Sequence, residues 1–434
     1  MRNRIVSRVY YAIDVSLVSP LIISNGEDYY SDADVLTNGS GEYFIPGTSL
    51  AGAFRNYLGK DKKTECAYGF ADGDAGRMSS IFISDIYLKE AEVTVRDRVK
   101  LTELKNVDNK FDVQIIRAGA QGKLFLECIE REKDKYDFQR IVSDLLYAIS
   151  TGEIRIGADK NRGFGVLKIG RIASQSFKAD DLNKWEQFLP LAHSAEGYPK
   201  GKKYSEWSKN IDKPESRYVK IRVPLELKGG ISIRQYSAQK NSPDYVHITD
   251  NGVPIIPGTS WNGALRNDAL KILRMLGCRE ANNKIDQWFG FVREKKIKDE
   301  AQACQSMIVV GESKLEKSSG LTITRNKIDR FSAATVSTAL YTEYAYFGGF
   351  TDLDIKIKKD VSKAYEAAVG LMILVLKDLQ GGYISVGGQG AIGRGIFALR
   401  DGESWTVSEN QEQNSSDKYL KAFYELVRNG GKEN

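Results

Sequence analysis

The chain has 434 residues, 41% of them hydrophobic, and carries 63 Lys and Arg against 57 Asp and Glu, a net charge of +6. That length suits two domains with a core each. No apolar run approaches the roughly 20 residues of a membrane span, and the mild charge permits a nucleic-acid partner without requiring one.

The N-terminus is basic and then apolar, as in a secretion signal. Asp14 and the alternation of Ile13, Val15 and Leu17 instead predict a half-buried strand. Cys66, Cys128, Cys278 and Cys304 form no CxxC pair, so reduced thiols in a cytoplasm are expected, and no zinc site. Next comes an acidic loop, Ser31-Asp32-Ala33-Asp34-Val35, with Asp28 just before it.

Ile45–Asn56 then reads IPGTSLAGAFRN. Pro46 and Gly47 predict a turn into a helix, with Thr48 and Ser49 as capping hydroxyls, Gly52 and Ala53 as a slim face and Arg55 about two turns in. A helix start with free amides, hydroxyls and an arginine suits a phosphate. The same residues also suit tight helix–sheet packing with an internal Arg55 salt bridge. Further on come Tyr68-Gly69-Phe70, a strand pattern in Ser80–Leu88, and the basic element Arg96-Asp97-Arg98-Val99. A helical pattern follows (Phe138, Ile141, Val142, Leu145, Leu146, Ile149). It leads to a glycine-rich loop from Gly157 through Arg162 and Gly163 to Gly165. This loop has neither the P-loop nor the Rossmann order. Its glycines suit either main-chain approach to a sugar–phosphate backbone or a close crossing of chain segments.

Almost all of this is then repeated. Ile256–Asn267 reads IPGTSWNGALRN, identical to the first phrase at nine of twelve positions. Each match has only about a one-in-fifteen chance from average usage. Thr259, Ser260, Gly263 and Arg266 repeat the features of the first helix start. Ile221, Val223 and Leu225 repeat the first strand, and Phe289-Gly290-Phe291 the aromatic–glycine turn. Arg325-Asn326-Lys327-Ile328 repeats the basic element. Ala364–Leu379 repeats the late helix, and Gly387 to Arg394-Gly395 the glycine loop. The chain is a tandem duplication. Strands interrupted by two helices in each half predict an α+β fold of two ferredoxin-like domains. The predicted domains are 1–176 and 216–402, with a polar and basic linker at 177–215. Lys200-Gly-Lys202-Lys203 in that linker suits a solvated loop or RNA contact. A polar tail at 403–434 ends in a short amphipathic helix.

The IPG[ST]S-x-x-G-x-x-R phrase, joined to a late G-x-x-x-R-G-x-G loop, resembles the RAMP superfamily of CRISPR proteins. Specifically it resembles the backbone subunits of type III effector complexes, and most closely the fused double-backbone subunit of type III-D systems. The resemblance covers nearly the whole chain, twice. It implies an RRM-like RAMP fold with inserted thumb-type hairpins, for which 96–120 and 325–349 are candidates. Ile115, Ile116 and Arg117, or Leu340 and Tyr341, are then candidate wedges between bases, or else core residues. It implies guide RNA, target RNA and the other subunits of the complex as partners, with no membrane. It also implies an endoribonuclease whose aspartate lies just upstream of the IPG phrase.

Aligning the following valines puts Asp32 and Asp244 at that position, with Asp34 and Asp28 as alternatives; ordinary loop acids are the competing explanation. A carboxylate suits a hard divalent ion, Mg²⁺ or Mn²⁺, on phosphate oxygens. His247 lies three residues past Asp244, where it either assists or is a surface histidine. RNA contacts are expected from Thr48, Ser49, Gly52, Arg55, Thr259, Ser260, Gly263 and Arg266, from Arg162, Gly163, Arg394 and Gly395, and from Arg96, Arg98, Arg325 and Lys327. A non-catalytic guide-binding subunit is the alternative. With only His193 and His247, a histidine-dependent guide-processing enzyme is disfavoured, and a doubled metabolic or regulatory protein is the remaining contrast.

Overall fold

The computed structural model describes residues 3–24, 26, 31–73, 75–101, 107–236, 242–292, 303–409, 412–413 and 416–429. The chain divides into two compact units. Unit 1 comprises Met1–Arg98, Phe111–Lys160 and Phe164–Glu215, and unit 2 comprises Val99–Lys110, Asn161–Gly163 and Ser216–Asn434. Both are mixed α+β, built on mainly antiparallel sheets.

In unit 1 the main sheet runs Lys202–Lys203, Leu167–Lys178, Ile5–Leu17, Gln121–Arg131, Ile81–Ile83, with every neighbour antiparallel. Val9, Tyr11, Ile13, Val15 and Leu17 point to one face, as the period of two requires. Helix Gly47–Leu58 buries Leu50, Ala53 and Phe54 against that face, and helix Phe138–Ser150 adds Phe138, Ile141, Val142, Leu145 and Leu146. Each of these side chains other than Ala53 contributes about 1.5–3 kcal/mol by leaving water. Asp137 starts the second helix by accepting from the Arg140 amide at 2.8 Å.

The other face of this sheet is also covered, by the segment expected to be a linker. Trp185, Phe188, Ala192 and Tyr198 pack on Tyr10 and Phe177, and the Trp185 indole donates to the Tyr10 hydroxyl at 2.9 Å. His193 meets the Phe125 ring edge-on. Residues 9–13 are therefore buried consecutively rather than alternately. Lys202 and Lys203, from the basic run, form an exposed edge strand.

In unit 2 the order is Ile308–Val310, Phe350–Lys358, Tyr218–Lys228. The outer edge of Tyr218–Lys228 is shared by Ile396–Leu399 and Thr406–Glu409. Val219, Ile221, Val223, Leu225 and Leu227 face the core. Helix Gly258–Met275 packs there through Trp261, Leu265, Ala269 and Leu273, and the buried Trp261 indole donates to Ser313 at 2.9 Å. Helix Ala364–Gln380 is buried nearly all round because the tail helix, Asp417–Asn429, lies on it. A Cβ at Gly370 would sit 2.2 Å from the Tyr419 carbonyl oxygen. The tail thus completes unit 2, supplying Val407, Tyr419 and Phe423 to its core.

The opposite face of the unit 2 sheet is charged, with Asp352 accepting from Arg222 at 2.7 Å and from Arg400 at 3.3 Å. Among the described residues no helix is long and apolar enough to cross a membrane.

Candidate nucleic-acid interface

The aspartates upstream of each IPG phrase occupy equivalent places. The Asp32 carboxylate accepts from the Asp112 amide at 2.8 Å, and the Asp32 amide donates back to Asp112 at 3.0 Å. The Asp244 carboxylate accepts from the Thr342 amide at 2.7 Å, and the Asp244 amide donates back to the Thr342 hydroxyl at 3.1 Å. Both side chains are exposed. Hydrogen bonds from Thr342 hold the Asp244 carboxyl below its ordinary range. Asp34 is buried and accepts from Ser31 at 2.8 Å, while Asp28 lies outside the described residues.

The register differs from the valine alignment. Leu36 donates to the Ile23 carbonyl and Ile248 to the Ile233 carbonyl, so Val35 corresponds to His247 and not to Val246. The valine alignment leaves Asp32 and Asp244 one residue out of step, and in this register they coincide. His247 is buried, not on the surface. Its Nδ1 accepts from the Ile233 amide at 3.1 Å and its Nε2 bonds the Ile255 carbonyl at 3.0 Å, the arrangement of a neutral ring. Burial pushes it down to about 4.

Asp112 and Thr342 sit on the return strands of two hairpins, Val93–Leu101 with Val107–Ile116 and Ser319–Ile328 with Thr335–Phe347. Of the expected wedges, Ile115 and Ile116 are completely buried. Arg117 ion-pairs with Glu92 at 3.5 Å. Tyr341 pairs with Arg325 in the ladder, and Leu340 is 67% exposed. Phe331, at the second hairpin's turn, is fully exposed. The Asp329 carboxylate shapes that turn by accepting from the amides of Phe331 and Ser332 at 3.0 and 2.8 Å.

The repeated phrase owes its first glycine to crowding. A Cβ on Gly47 would lie 2.7 Å from the Ile83 carbonyl oxygen, and one on Gly258 2.6 Å from that of Val310. Gly52 and Gly263 instead face open space. Neither helix start has a side-chain cap from Thr48, Ser49, Thr259 or Ser260. The Gly47 amide donates to Asp85 at 2.7 Å. Arg55 donates to the Gly69 carbonyl at 3.3 Å, and Arg266 to the Gly290 carbonyl at 2.9 Å and to Asp286 at 2.7 Å. Each arginine thus closes the C-terminus of the short helix that follows its own. What remains in solvent is a stripe, Thr48, Gly52, Arg55 and Asn56, repeated as Thr259, Gly263 and Asn267 beside half-buried Arg266.

The glycine loops share one backbone. Gly157, Asp159, Gly163 and Gly165 have φ of +80°, +53°, +92° and +74°, and Gly387, Gln389, Gly393 and Gly395 have +86°, +64°, +79° and +68°. A Cβ at Gly165 or Gly395 would sit within 2 Å of the carbonyl oxygen of Ile156 or Val386. This register places Arg162 opposite Ile392, and Arg394 opposite Phe164. Arg394 is buried and bonds Glu343 at 3.0 Å. Arg96 is buried over the Phe164 ring, and Arg98 pairs with Asp159. Arg325 is half-buried and Lys327 exposed.

The RAMP superfamily model matches residues 14–168 and 242–398, one match in each half and together well over half of the chain. The chain belongs to the RAMP superfamily. It is a RAMP-type, CRISPR-associated subunit that binds RNA and other subunits of its complex. No curated protein matches it. Sequence reasoning on this RAMP protein missed Asp112, Thr342, Phe331 and Glu343. Asp112, Thr342 and Glu343 each lie in a strand remote in sequence from the residue they serve, and no local pattern marks that pairing.

Proposed function

We propose that this chain is the fused double-backbone subunit of a type III-D effector complex. In this reading two ferredoxin-like domains lie along guide RNA, and Asp32 and Asp244 mark two positions at which complementary target RNA is cut. The observation that carries it is the equivalence of the two aspartates, each exposed and each tied to the return strand of a hairpin. The strand order fourth–first–third–second about two helices supports the ferredoxin-like reading of each domain. The hairpins are read as thumbs, with Phe331 and Leu340 as wedge side chains. The solvent stripe of the IPG helices (Thr48, Gly52, Asn56 and their repeats, with Arg55 beside them) is read as the guide-RNA surface, because the identity of Thr48, Gly52 and Asn56 in both halves serves no core.

The donor sets fit a hard divalent ion that keeps most of its waters. Asp32 and Asp112 would hold it in unit 1, and Asp244 with the Thr342 hydroxyl in unit 2. When bound, such an ion supplies charge neutralisation at a phosphate. The chain's own contribution is to fix each carboxylate by its hairpin amide, so that the scissile linkage is held with the RNA 2′-hydroxyl in line with the bond that breaks.

A binding-only reading is favoured by a different observation. Both carboxylates already accept hairpin amides, and no group of three or more His, Cys, Asp or Glu among the described residues is arranged to hold a metal. Alanine at Asp32 and Asp244, singly and together, in the assembled complex decides between the two. Each single change is expected to remove one product end from a target ladder, and the double change to remove both. Normal target shortening by the double variant would rule out cutting by these residues.

A further inference from the structure

At one place the two units solve the same problem with opposite chemistry. The place is where the hairpin's return strand, the segment before the aspartate loop and the glycine loop meet. Ala158 donates to the Ile22 carbonyl and Gly388 to the Ser232 carbonyl, both at 2.9 Å. Ile22 and Ser232 therefore correspond. By the Asp112–Thr342 match, Val113 corresponds to Glu343. By the glycine-loop register, Phe164 corresponds to Arg394. In unit 1 the positions matching Ser232, Glu343 and Arg394 are apolar: Ile22, Val113, Ile115 and Phe164 form their own cluster, with Ala33 of the aspartate loop packed on it; the charged groups there, Arg96 and the Arg98–Asp159 pair, stack over Phe164 instead of bonding within the cluster. In unit 2 the node is a buried ionic network. Glu343 has no exposed surface. It accepts from the Ser232 hydroxyl, from Arg234 at 3.2 Å, from Gln389 at 2.9 Å and from Arg394 at 3.0 Å.

Glu343 directly follows Thr342, the residue that holds Asp244, and its backbone pairs with Tyr245, the residue after Asp244. Arg234 also stacks over the Tyr245 ring at 4.5 Å. The network therefore fixes both partners of the Asp244 contact from the protein side.

We propose that the Glu343 network is the positioning device for Asp244, taking the place of the apolar plug that positions Asp32. Glu343 never needs to touch RNA; it acts through Thr342 and Tyr245. A buried carboxylate with several directional donors fixes one arrangement of its segments, whereas an apolar plug tolerates small shifts. The inference rests on Asp244 marking a cutting site.

The test compares three full-length chains in assembled complexes: the parent, Glu343→Gln, and the triple change Ser232→Ile, Glu343→Val, Arg394→Phe, which installs three of the four unit 1 plug side chains in unit 2, Ala345 staying at the place of Ile115. Product ends are first assigned with the Asp32 and Asp244 alanine variants. Glu343→Gln is expected to slow the Asp244 cut about ten- to a hundredfold at saturating target. The Asp32 cut and the target concentration for half-maximal rate are expected to stay unchanged. The triple change is expected to restore the Asp244 cut to within about threefold of the parent, since it replaces a network by a packed plug.

Equal slowing of both cuts, or no slowing of either, overturns the proposal. So does a Glu343→Gln chain that folds and cuts normally while the triple variant does not. Amide exchange is read on the same samples at Thr342 and Val246, and at Asp112 and Asp34 as the unit 1 controls. If the parent does not cut at all, the cutting reading fails on its own. Faster exchange confined to the unit 2 amides in Glu343→Gln, reversed in the triple variant, then still supports the positioning role, and unchanged exchange overturns it.

Discussion

The halves of this chain share a backbone plan but not the chemistry that fixes it. Unit 1 closes its node with Ile22, Val113, Ile115 and Phe164; unit 2 closes the equivalent node with Ser232, Glu343 and Arg394. Unit 1 covers the outer face of its sheet with Trp185, Phe188 and Tyr198, while unit 2 leaves Arg222, Asp352 and Arg400 on that face. The elements that stay the same are those with no alternative. Gly165 and Gly395 have a carbonyl within 2 Å of any added Cβ, and Gly47 and Gly258 face one within 3 Å. After duplication a backbone crossing fixes its glycine, whereas the filling of a node is free to change if its volume and bonding are preserved together.

The largest expected difference is at the node. Glu343→Ala leaves Arg394 buried without its carboxylate, and unit 2 is expected to lose about 3–5 kcal/mol. Val113→Ala in unit 1 removes only two methyl groups and is expected to cost about 1–2 kcal/mol. Denaturant unfolding of the two variants checks the order, and a smaller loss for Glu343→Ala would erase the distinction between the nodes.

The next effect is in acid. His247 titrates near 4 when folded, against an ordinary 6.5. Its neutral form belongs to the fold, so the contribution is complete above pH 6.5 and is lost as pH falls toward 4, about 3 kcal/mol in all. Val35, at the same place in unit 1, has no such dependence.

Asp268 works against this. Burial, followed by the nearby Asp378 carboxylate, pushes it up to about 6, and one of its oxygens has no hydrogen-bond partner among the described residues. Its protonated form belongs to the fold, so stability from this group falls as pH rises from about 4 to 6. Asp268→Asn is expected to raise the stability of unit 2 by about 2 kcal/mol at neutral pH. It is also expected to steepen the loss in acid, because the two opposing slopes no longer cancel. Unfolding midpoints between pH 4 and 8 would show both effects, and a flatter acid profile in the variant would refute the opposition.

The smallest contrast lies in the repeated phrase. Arg266 bonds both the Gly290 carbonyl and Asp286, whereas Arg55 makes one long bond to the Gly69 carbonyl. Arg266→Ala is expected to cost about 1 kcal/mol more than Arg55→Ala. If both arginines also grip RNA, both variants weaken RNA binding and lower its salt dependence. If they serve only as helix closures, stability changes and the salt slope does not.

Much of the architecture was legible beforehand. The duplicated phrase, the alternation of Ile13, Val15 and Leu17, and the helical spacing from Phe138 to Ile149 all report local periodicity, and local periodicity survives in sequence. The equivalence of Asp32 and Asp244 is legible too, because both sit at a countable distance from a recognisable phrase. The misread features were those whose partner is distant. Arg394 shares its residue type and following glycine with Arg162, although its backbone position is that of Phe164. Residues 177–215 looked like a linker because their aromatic side chains show no strict period, yet Trp185 and Phe188 find Tyr10 and Phe177 across the sheet.

The sequence by itself determined that the chain is a duplication, where each half's strands, helices and glycine crossings fall, and which acids to watch. Those properties depend on neighbours a few residues away. Only the tertiary structure decided that Asp112 and Thr342 hold those acids, that His247 is a neutral buried ring, and that one node is oily and the other ionic. Each of these is a contact between segments 46 or more residues apart, or a consequence of burial by such segments. Desolvation and directional hydrogen bonds act only once the chain has brought those segments together.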